Sequence, residues 1–370
     1  MALPICKTSP AARVGQHTLR LRYGRRVADS DALAAAVPPT QLTRRMIIGL
    51  GLAGPTLAVP WLAGCSPNDS GVDSPPGPDA ASSGATAVAT ASPNPTSAAS
   101  AAQAALEQAL AALSAAILVG PHHQQLSKGH RQLLTFLRDA HTAHAQASTD
   151  PLPTPAPTRI GGLSLAGSLA LLARRENSAA QHYRGAALKA TGSEALLLGS
   201  LSAAAASFAR AIGSNDPPAT RMVANPQPVA ILPEVDAVQE LVRQLHAIVY
   251  GYQLAIGKLK VLSKQRPKAE RELLAQRVLR DGLIVWLGKH SAEVPVAEPA
   301  YVPSVVPRDP ATAVRLITRM QTALQPFCGL WLAASTTQPD RQRALRALTT
   351  AVQTARSWGA PLAAWPGWSS

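Results

Sequence analysis

Apolar residues recur along this chain with a period near 3.6 from about residue 102 to residue 358, and no stretch alternates convincingly enough to predict a strand. The pattern divides into eight helical segments. The first, about Ala102 to Leu118, places Leu106, Leu110, Leu113 and Ile117 on one stripe and stops at Gly120-Pro121. The second, about Gln124 to Ala147, gathers Leu133, Leu134, Leu137, His141 and His144 near one face, and a proline-rich break from Asp150 to Thr158 follows. The third, about Leu163 to Ala190, turns at Thr191-Gly192-Ser193 into the fourth, about Glu194 to Ile212. After a second breaker region, Gly213 to Pro233, the fifth runs from about Glu234 to Ser263 and the sixth from about Pro267 to Lys289. An extended stretch, His290 to Asp309, leads to the seventh, where Asp309-Pro310 supplies an N-cap residue and a proline at the first helical position. The eighth runs from about Asp340 to Trp358.

Loop lengths carry more information than the number of segments. Each half reads short loop, long loop, short loop, which is two helical hairpins joined by a crossover, the connection found in ferritin-like bundles. The pattern therefore predicts an all-α chain built as two tandem four-helix bundles, 101–213 and 234–360. A Pro-rich linker, 214–233, joins them, and a C-terminal tail, 361–370, follows. The long crossover of the C-terminal bundle falls between its second and third helices. A single larger eight-helix domain is the alternative.

Upstream of the helices the pattern changes character. Arg44-Arg45 precede a modest apolar run, Met46 to Ala63, that glycines and prolines interrupt. It is weaker than the roughly 20 strongly apolar residues of a membrane span. A basic region, a weak apolar core and small residues are the layout of an export signal. The run ends in Leu62-Ala63-Gly64-Cys65, which resembles a bacterial lipobox, and the arginine pair resembles a twin-arginine signal. That resemblance implies cleavage before Cys65, lipidation of its sulfur, and anchoring on the extracytoplasmic face of the cell membrane. The implied partners are the twin-arginine export machinery, the lipoprotein-processing enzymes and the bilayer itself. Residues 1–64 thus read as the signal, and 65–100 as the lipidated cysteine and a flexible Ser/Pro/Ala tether too poor in apolar residues to offset its own ordering. A transmembrane anchor starting at Met46 is the competing reading.

The composition takes on meaning once these segments are placed. The 370 residues carry a net charge of +14 and three cysteines. Residues up to Gly64 hold eight Lys/Arg against Asp29 and Asp31, and the remaining 306 residues hold 27 basic against 19 acidic. Much of the excess thus lies in a segment expected to be removed, which leaves little basis for a nucleic-acid partner. With Cys6 removed and Cys65 lipidated, Cys328 has no intramolecular partner. No Gly-rich phosphate loop, His-Glu-x-x-His, Cys-x-x-Cys or Gly-x-Ser-x-Gly occurs in the chain.

Four separated motifs in the second half carry a family resemblance. They are Leu245-His246-Ala247-Ile248-Val249-Tyr250-Gly251-Tyr252, Arg280-Asp281-Gly282-Leu283, Pro299-Ala300-Tyr301-Val302-Pro303 and Arg356-Ser357-Trp358. Together they resemble a ferritin-like domain family of unknown function found in actinobacterial exported lipoproteins. The resemblance covers roughly 236–360 and implies a four-helix ferritin-like fold with no established activity; the first half resembles the divergent N-terminal half of the same proteins. Di-metal carboxylate bundles need inward-facing glutamates and two Glu-x-x-His pairs. No Glu-x-x-His occurs here, and the corresponding positions hold Leu245-His246, Gln276 and Gln321. The second bundle is therefore expected to lack a di-metal site, and no cofactor is assigned.

Two groups of polar residues remain. In the second bundle Asp281 shares a stripe with Leu274 and Val285, so His246, Tyr250, Arg277 and Asp281 form a candidate polar core or ligand site. In the first, Glu107, His141, His144, Glu176 and His182 lie on three helices and are weak candidates for a mononuclear metal site. Arg341, Arg343, Arg346 and Arg356 make the last helix basic, which suits a solvated face or anionic headgroups. The expected role is non-catalytic: a membrane-anchored scaffold that binds another envelope component. Metal or redox chemistry in the bundles and small-molecule binding are the alternatives.

Overall fold

Helix starts follow the chemistry of their first turns. Ser164 accepts from the Gly167 amide ahead of Leu165, and Thr337 accepts from Asp340 ahead of Gln338. Asp309 accepts from Thr312 at 2.8 Å in a reciprocal capping box, with Pro310 at the first helical position. The structure is a computed structural model that describes residues 90–91, 99–148, 161–214, 219–220, 226 and 229–368. The arginine pair Arg44 and Arg45 and the Leu62–Cys65 motif lie outside the described residues.

Among the described residues eight α-helices form: α1 Ala99–Val119, α2 Lys128–Ser148, α3 Leu165–Ala187, α4 Gly192–Ile212, α5 Glu234–Ile256, α6 Gln265–Lys289, α7 Pro310–Ala334 and α8 Gln338–Ser357. Among the described residues the chain is all-α apart from a two-residue pairing, Thr90–Ala91 (β1) antiparallel to Val229–Ala230 (β2), and an isolated parallel bridge between Thr220 and Leu362. β1 lies within the segment read as tether. Helix α5 stops at Ile256, short of its expected end at Ser263, where the chain tightens into three-residue turns, Lys258 bonding Ala255 and Leu259 bonding Ile256.

The chain divides at Ala80/Ala81, and every described residue belongs to Ala81–Ser370. Within that unit α1 packs on α2 and α3 on α4, while α5 packs on α6 and α7, and α7 on α8. Helix α4 does double duty, packing on α7 and α8 as well as on α3 and α2. Its sequence explains this: Leu196, Leu197, Leu201, Ala203, Ala204 and Phe208 are buried on several faces. A helix apolar all round has neighbours on all sides. Gly199 permits the approach, since a Cβ there would sit 2.2 Å from the Leu332 side chain of α7.

The segment after α8 is not a free tail. Leu362, Trp365 and Trp368 are buried, and the stretch crosses α7 so closely that a Cβ on Gly329 would lie 2.1 Å from the Gly367 carbonyl oxygen. Backbone cannot yield as a side-chain tip can. Gly329→Ala is therefore expected to destabilise the protein by about 1–3 kcal/mol. Gly185→Ala, on exposed α3 surface with nothing nearby, should stabilise by roughly 0.5–1 kcal/mol. Chemical-denaturation midpoints of the two variants moving in the same direction would refute this account of the tail.

Candidate functional site

Helical phase places a polar row inside the first four helices. On α1, Gln103, Glu107 and Ser114 lie on the stripe that buries Leu110. On α2, His141 and His144 continue the buried stripe of Leu134 and Leu137. On α3, Glu176 and Tyr183 are two turns apart, on the row of Leu172, Ala179, Ala180 and Ala187. Small residues on these rows, Ala140 and Ala179 among them, let the helix axes approach, so the long polar side chains meet in the middle.

They meet at one carboxylate. Glu107 Oε2 accepts from His141 Nδ1 at 2.6 Å and lies 3.0 Å from His144 Nδ1. Its other oxygen, Oε1, accepts from the Tyr183 hydroxyl at 2.5 Å. The outer nitrogens are also held. His141 Nε2 lies 2.7 Å from Glu176 Oε1, and His144 Nε2 donates to the Ala364 carbonyl at 2.8 Å. That last contact comes from the segment after α8, which also lays the Trp365 ring 4.5 Å from the His144 ring. Phe208 of α4 packs against both imidazoles from the other side. Glu107, His141, His144 and Glu176 are each no more than 1% exposed. Behind them Gln103 bonds Ser148, which bonds the His144 carbonyl.

Burial and pairing oppose each other here. Burial alone would lower the His141 pKa, but the Glu176 and Glu107 carboxylates outweigh it and raise it to about 10. Burial likewise opposes ionisation of Glu107, yet His144 and His141 hold its carboxyl well below the usual range. Glu176 goes the other way: burial raises it, and His141 only partly compensates. Burial and the neighbouring Glu107 push the Tyr183 hydroxyl up, so it stays a donor. Chemically the cluster is an imidazolium clamped between two carboxylates, or a set of donors for one cation.

Of the five first-bundle residues read from sequence, four converge. His182 does not: it is exposed, with its ring edge against Tyr183. Tyr183, Ala364 and Trp365 were missed. The seven-residue spacing from Glu176 was a usable signal for Tyr183, and the tryptophans of the final segment hinted that it is buried.

The second-half candidates are not joined by hydrogen bonds. Asp281 is exposed and pairs with its neighbour Arg280 at 2.7 Å, not with Arg277 or His246. The stripe of Leu274, Val278 and Val285 beside it faces outward, because α6 packs chiefly on α5 and buries only Ala269, Gln276, Leu283, Trp286 and Leu287. Half-buried His246 lies 3.2 Å from the Pro295 carbonyl through Nε2, and burial with Arg280 nearby lowers its pKa. Tyr250 meets Tyr301 of the crossover, ring centroids 5.7 Å apart. The interior polar group of this half is different: Glu272 Oε2 accepts from Trp358 Nε1 at 2.5 Å and from Tyr252 at 3.1 Å, and Tyr252 accepts from Gln321 at 3.0 Å. Leu245, Gln276 and Gln321 are buried, leaving Glu272 as the carboxylate of that cluster. Cys328 is free and buried, and burial pushes its thiol up to about 12.

Comparison with known proteins follows this division. Residues 237–370 match the model of a domain of unknown function, DUF4439. A solved structure described as a conserved hypothetical protein, rv2844, from Mycobacterium tuberculosis is similar at 25% identity, over 34% of this chain and 93% of that one, with a TM-score of 0.33. No curated protein matches the chain. The buried cluster of Glu107, His141, His144 and Glu176 lies outside the matched range.

The cluster sets a pH signature for metal-free protein. The stability that His141 gains from its partners is complete below 6.5 and is lost as pH rises through about 10. That from Glu107 is complete above 4.5 and lost as pH falls through its depressed folded value. Glu176 acts in the sense of His141, favouring the fold below 4.5 and losing that contribution as pH rises through its raised value. Chelator-treated protein should therefore be most stable near pH 4.5, decline above it as Glu176 ionises, and lose further stability from pH 6.5 towards pH 10 as His141 deprotonates. In His141→Gln the alkaline slope of the denaturation midpoint should flatten; an unchanged slope would show that another group carries it.

Proposed function

We propose that this chain is exported by the twin-arginine route, lipidated on Cys65 and held on the extracytoplasmic face of the cell membrane. There its helices act as a non-catalytic structural or interaction module. One observation supports the non-catalytic part: the cluster around Glu107 is buried, with Phe208 packed on one side and Trp365 on the other, so its acid and base groups are not presented to solvent. The anchoring part rests on the order Arg44-Arg45, interrupted apolar run, Leu62-Ala63-Gly64-Cys65. Two or three acyl chains on one cysteine give stable anchoring where one alone is marginal. Fractionation with mass spectrometry of the Cys65 peptide tests this. The wild-type peptide should carry a diacylglycerol mass, and Cys65→Ala should lose it and move cleaved protein to the soluble fraction. An unlipidated wild-type peptide would overturn the anchor.

A second reading, small-molecule binding, is favoured by a cleft of about 390 Å³ between α6 and α8. Leu279, Leu283, Leu324 and Trp331 form its apolar wall, and Arg343 and Arg346 stand at its edge. Gln276 Oε1 and Trp331 Nε1 are buried along it without hydrogen-bond partners among the described residues. Apolar walls with a few placed polar groups are the make-up of a ligand pocket. The charge selects an amphiphile with one acyl chain and an anionic head. Native mass spectrometry with added fatty acid should show a 1:1 adduct that Leu283→Arg reduces at least about tenfold; no adduct on wild-type protein rejects this reading.

A further inference from the structure

The first-bundle cluster has the connectivity of a metal site. Each of three inward atoms has its outer counterpart tied to a separate group. His141 Nδ1 faces inward while Nε2 meets Glu176 Oε1. His144 Nδ1 faces inward while Nε2 donates to Ala364 O, which as a carbonyl can only accept. Glu107 Oε2 faces inward while Oε1 accepts from Tyr183. Outer partners of this kind fix ring orientation and tautomer in metal centres. They also make two ring nitrogens whose partner bonds lie outward converge on one carboxylate oxygen, an arrangement satisfied either by protons on the rings or by one cation between the three atoms.

Charge points the same way. A dry interior holds two carboxylates, Glu107 and Glu176, and Glu176 Oε2 has no hydrogen-bond partner among the described residues. Two neutral imidazoles and two carboxylates would balance one divalent ion without residual charge. A donor set of two imidazole nitrogens and one carboxylate oxygen suits a borderline divalent ion of the zinc class. The three donor atoms already lie within 4.8 Å of one another. Ligands about 2.0–2.1 Å from such an ion sit about 3.3 Å apart, so side-chain shifts of well under 1 Å suffice.

We infer that Glu107, His141 and His144 form a mononuclear structural site for a zinc-class divalent cation, closed over by the Ala364–Trp365 segment. The site goes beyond the scaffold role proposed above and stands apart from the second half, whose ligand positions are Leu245, Gln276 and Gln321. Because Ala364 and Trp365 follow α8, the ion would fasten that segment to the first four helices.

The test uses the full chain in detergent, unfolded in denaturant with a chelator to strip it, refolded with Zn²⁺ alone, desalted and assayed by elemental analysis. One zinc per chain is expected. Glu107→Gln and His144→Gln, checked for native helicity, should each retain at least about tenfold less. Tyr183→Phe should keep the site but weaken it about 10- to 100-fold. A combined His122→Ala, His123→Ala and His182→Ala variant, which removes exposed histidines, should retain one equivalent. X-ray absorption at the zinc edge of the wild type should show two imidazoles, a reading that needs no variant. No zinc retained by wild type overturns the proposal and leaves a proton-filled network. So does zinc retained equally by the Glu107 and His144 variants, or lost with the exposed histidines.

Discussion

The structure depends on keeping charge out of water without leaving it unpaired. Glu107 and His141 are both essentially inaccessible, and isolated ions there would be excluded by desolvation. Their 2.6 Å contact, with Glu176 and Tyr183 completing the surroundings, makes the arrangement tolerable. Buried pairs of this kind contribute little net stability against an apolar replacement, but breaking one is costly, because the remaining charge has nowhere to go. The cluster therefore acts as a constraint on register. If α1, α2 or α3 slides by one residue, a carboxylate or imidazole loses its partner in a dry core.

Helix α4 sets the second constraint. It supplies Phe208 to the cluster and, two to three turns earlier, Gly199 and Leu196 to the contact with α7 and α8. Arg341 of α8 reinforces the same junction. It is buried and donates to the carbonyls of Leu188, Ser335 and Thr336, so it is committed to backbone acceptors and is not available to a headgroup surface. Arg356 is similarly taken up by the Ala360 carbonyl. Of the four arginines that made α8 read as basic, only Arg343 and Arg346 remain exposed.

What was legible in the sequence was whatever follows from helical phase within one segment. The eight helices were legible, as was the placing of Glu107, His141, His144 and Glu176 on inward rows. Phase also separates His182 from the cluster, since Glu176 and Tyr183 are two full turns apart and His182 falls one residue short. Asp281 was misplaced for a different reason. A stripe of Leu274, Val278 and Val285 looks like a core face, but whether it is buried depends on how many neighbours α6 has, and that is a tertiary property. The role of Ala364 was not legible at all: its contribution is a backbone carbonyl 220 residues from His144, and backbone acceptors leave no side-chain signature.

That long-range contact has a kinetic consequence. The Ala364–Trp365 segment follows α8, and Gly329 and Gly367 allow it to cross α7 at backbone contact. Until it docks, the Trp365 side of the imidazole pair is uncovered; once it docks, the aromatic wall is complete. Any ion that occupies the proposed site must therefore enter before the segment closes, which couples loading to the docking of that segment. On the proposed export route, which carries folded proteins, closure precedes translocation. The cation would then be taken from the compartment where the chain folds, and the closed aromatic wall would keep it from exchanging with the one where the protein resides.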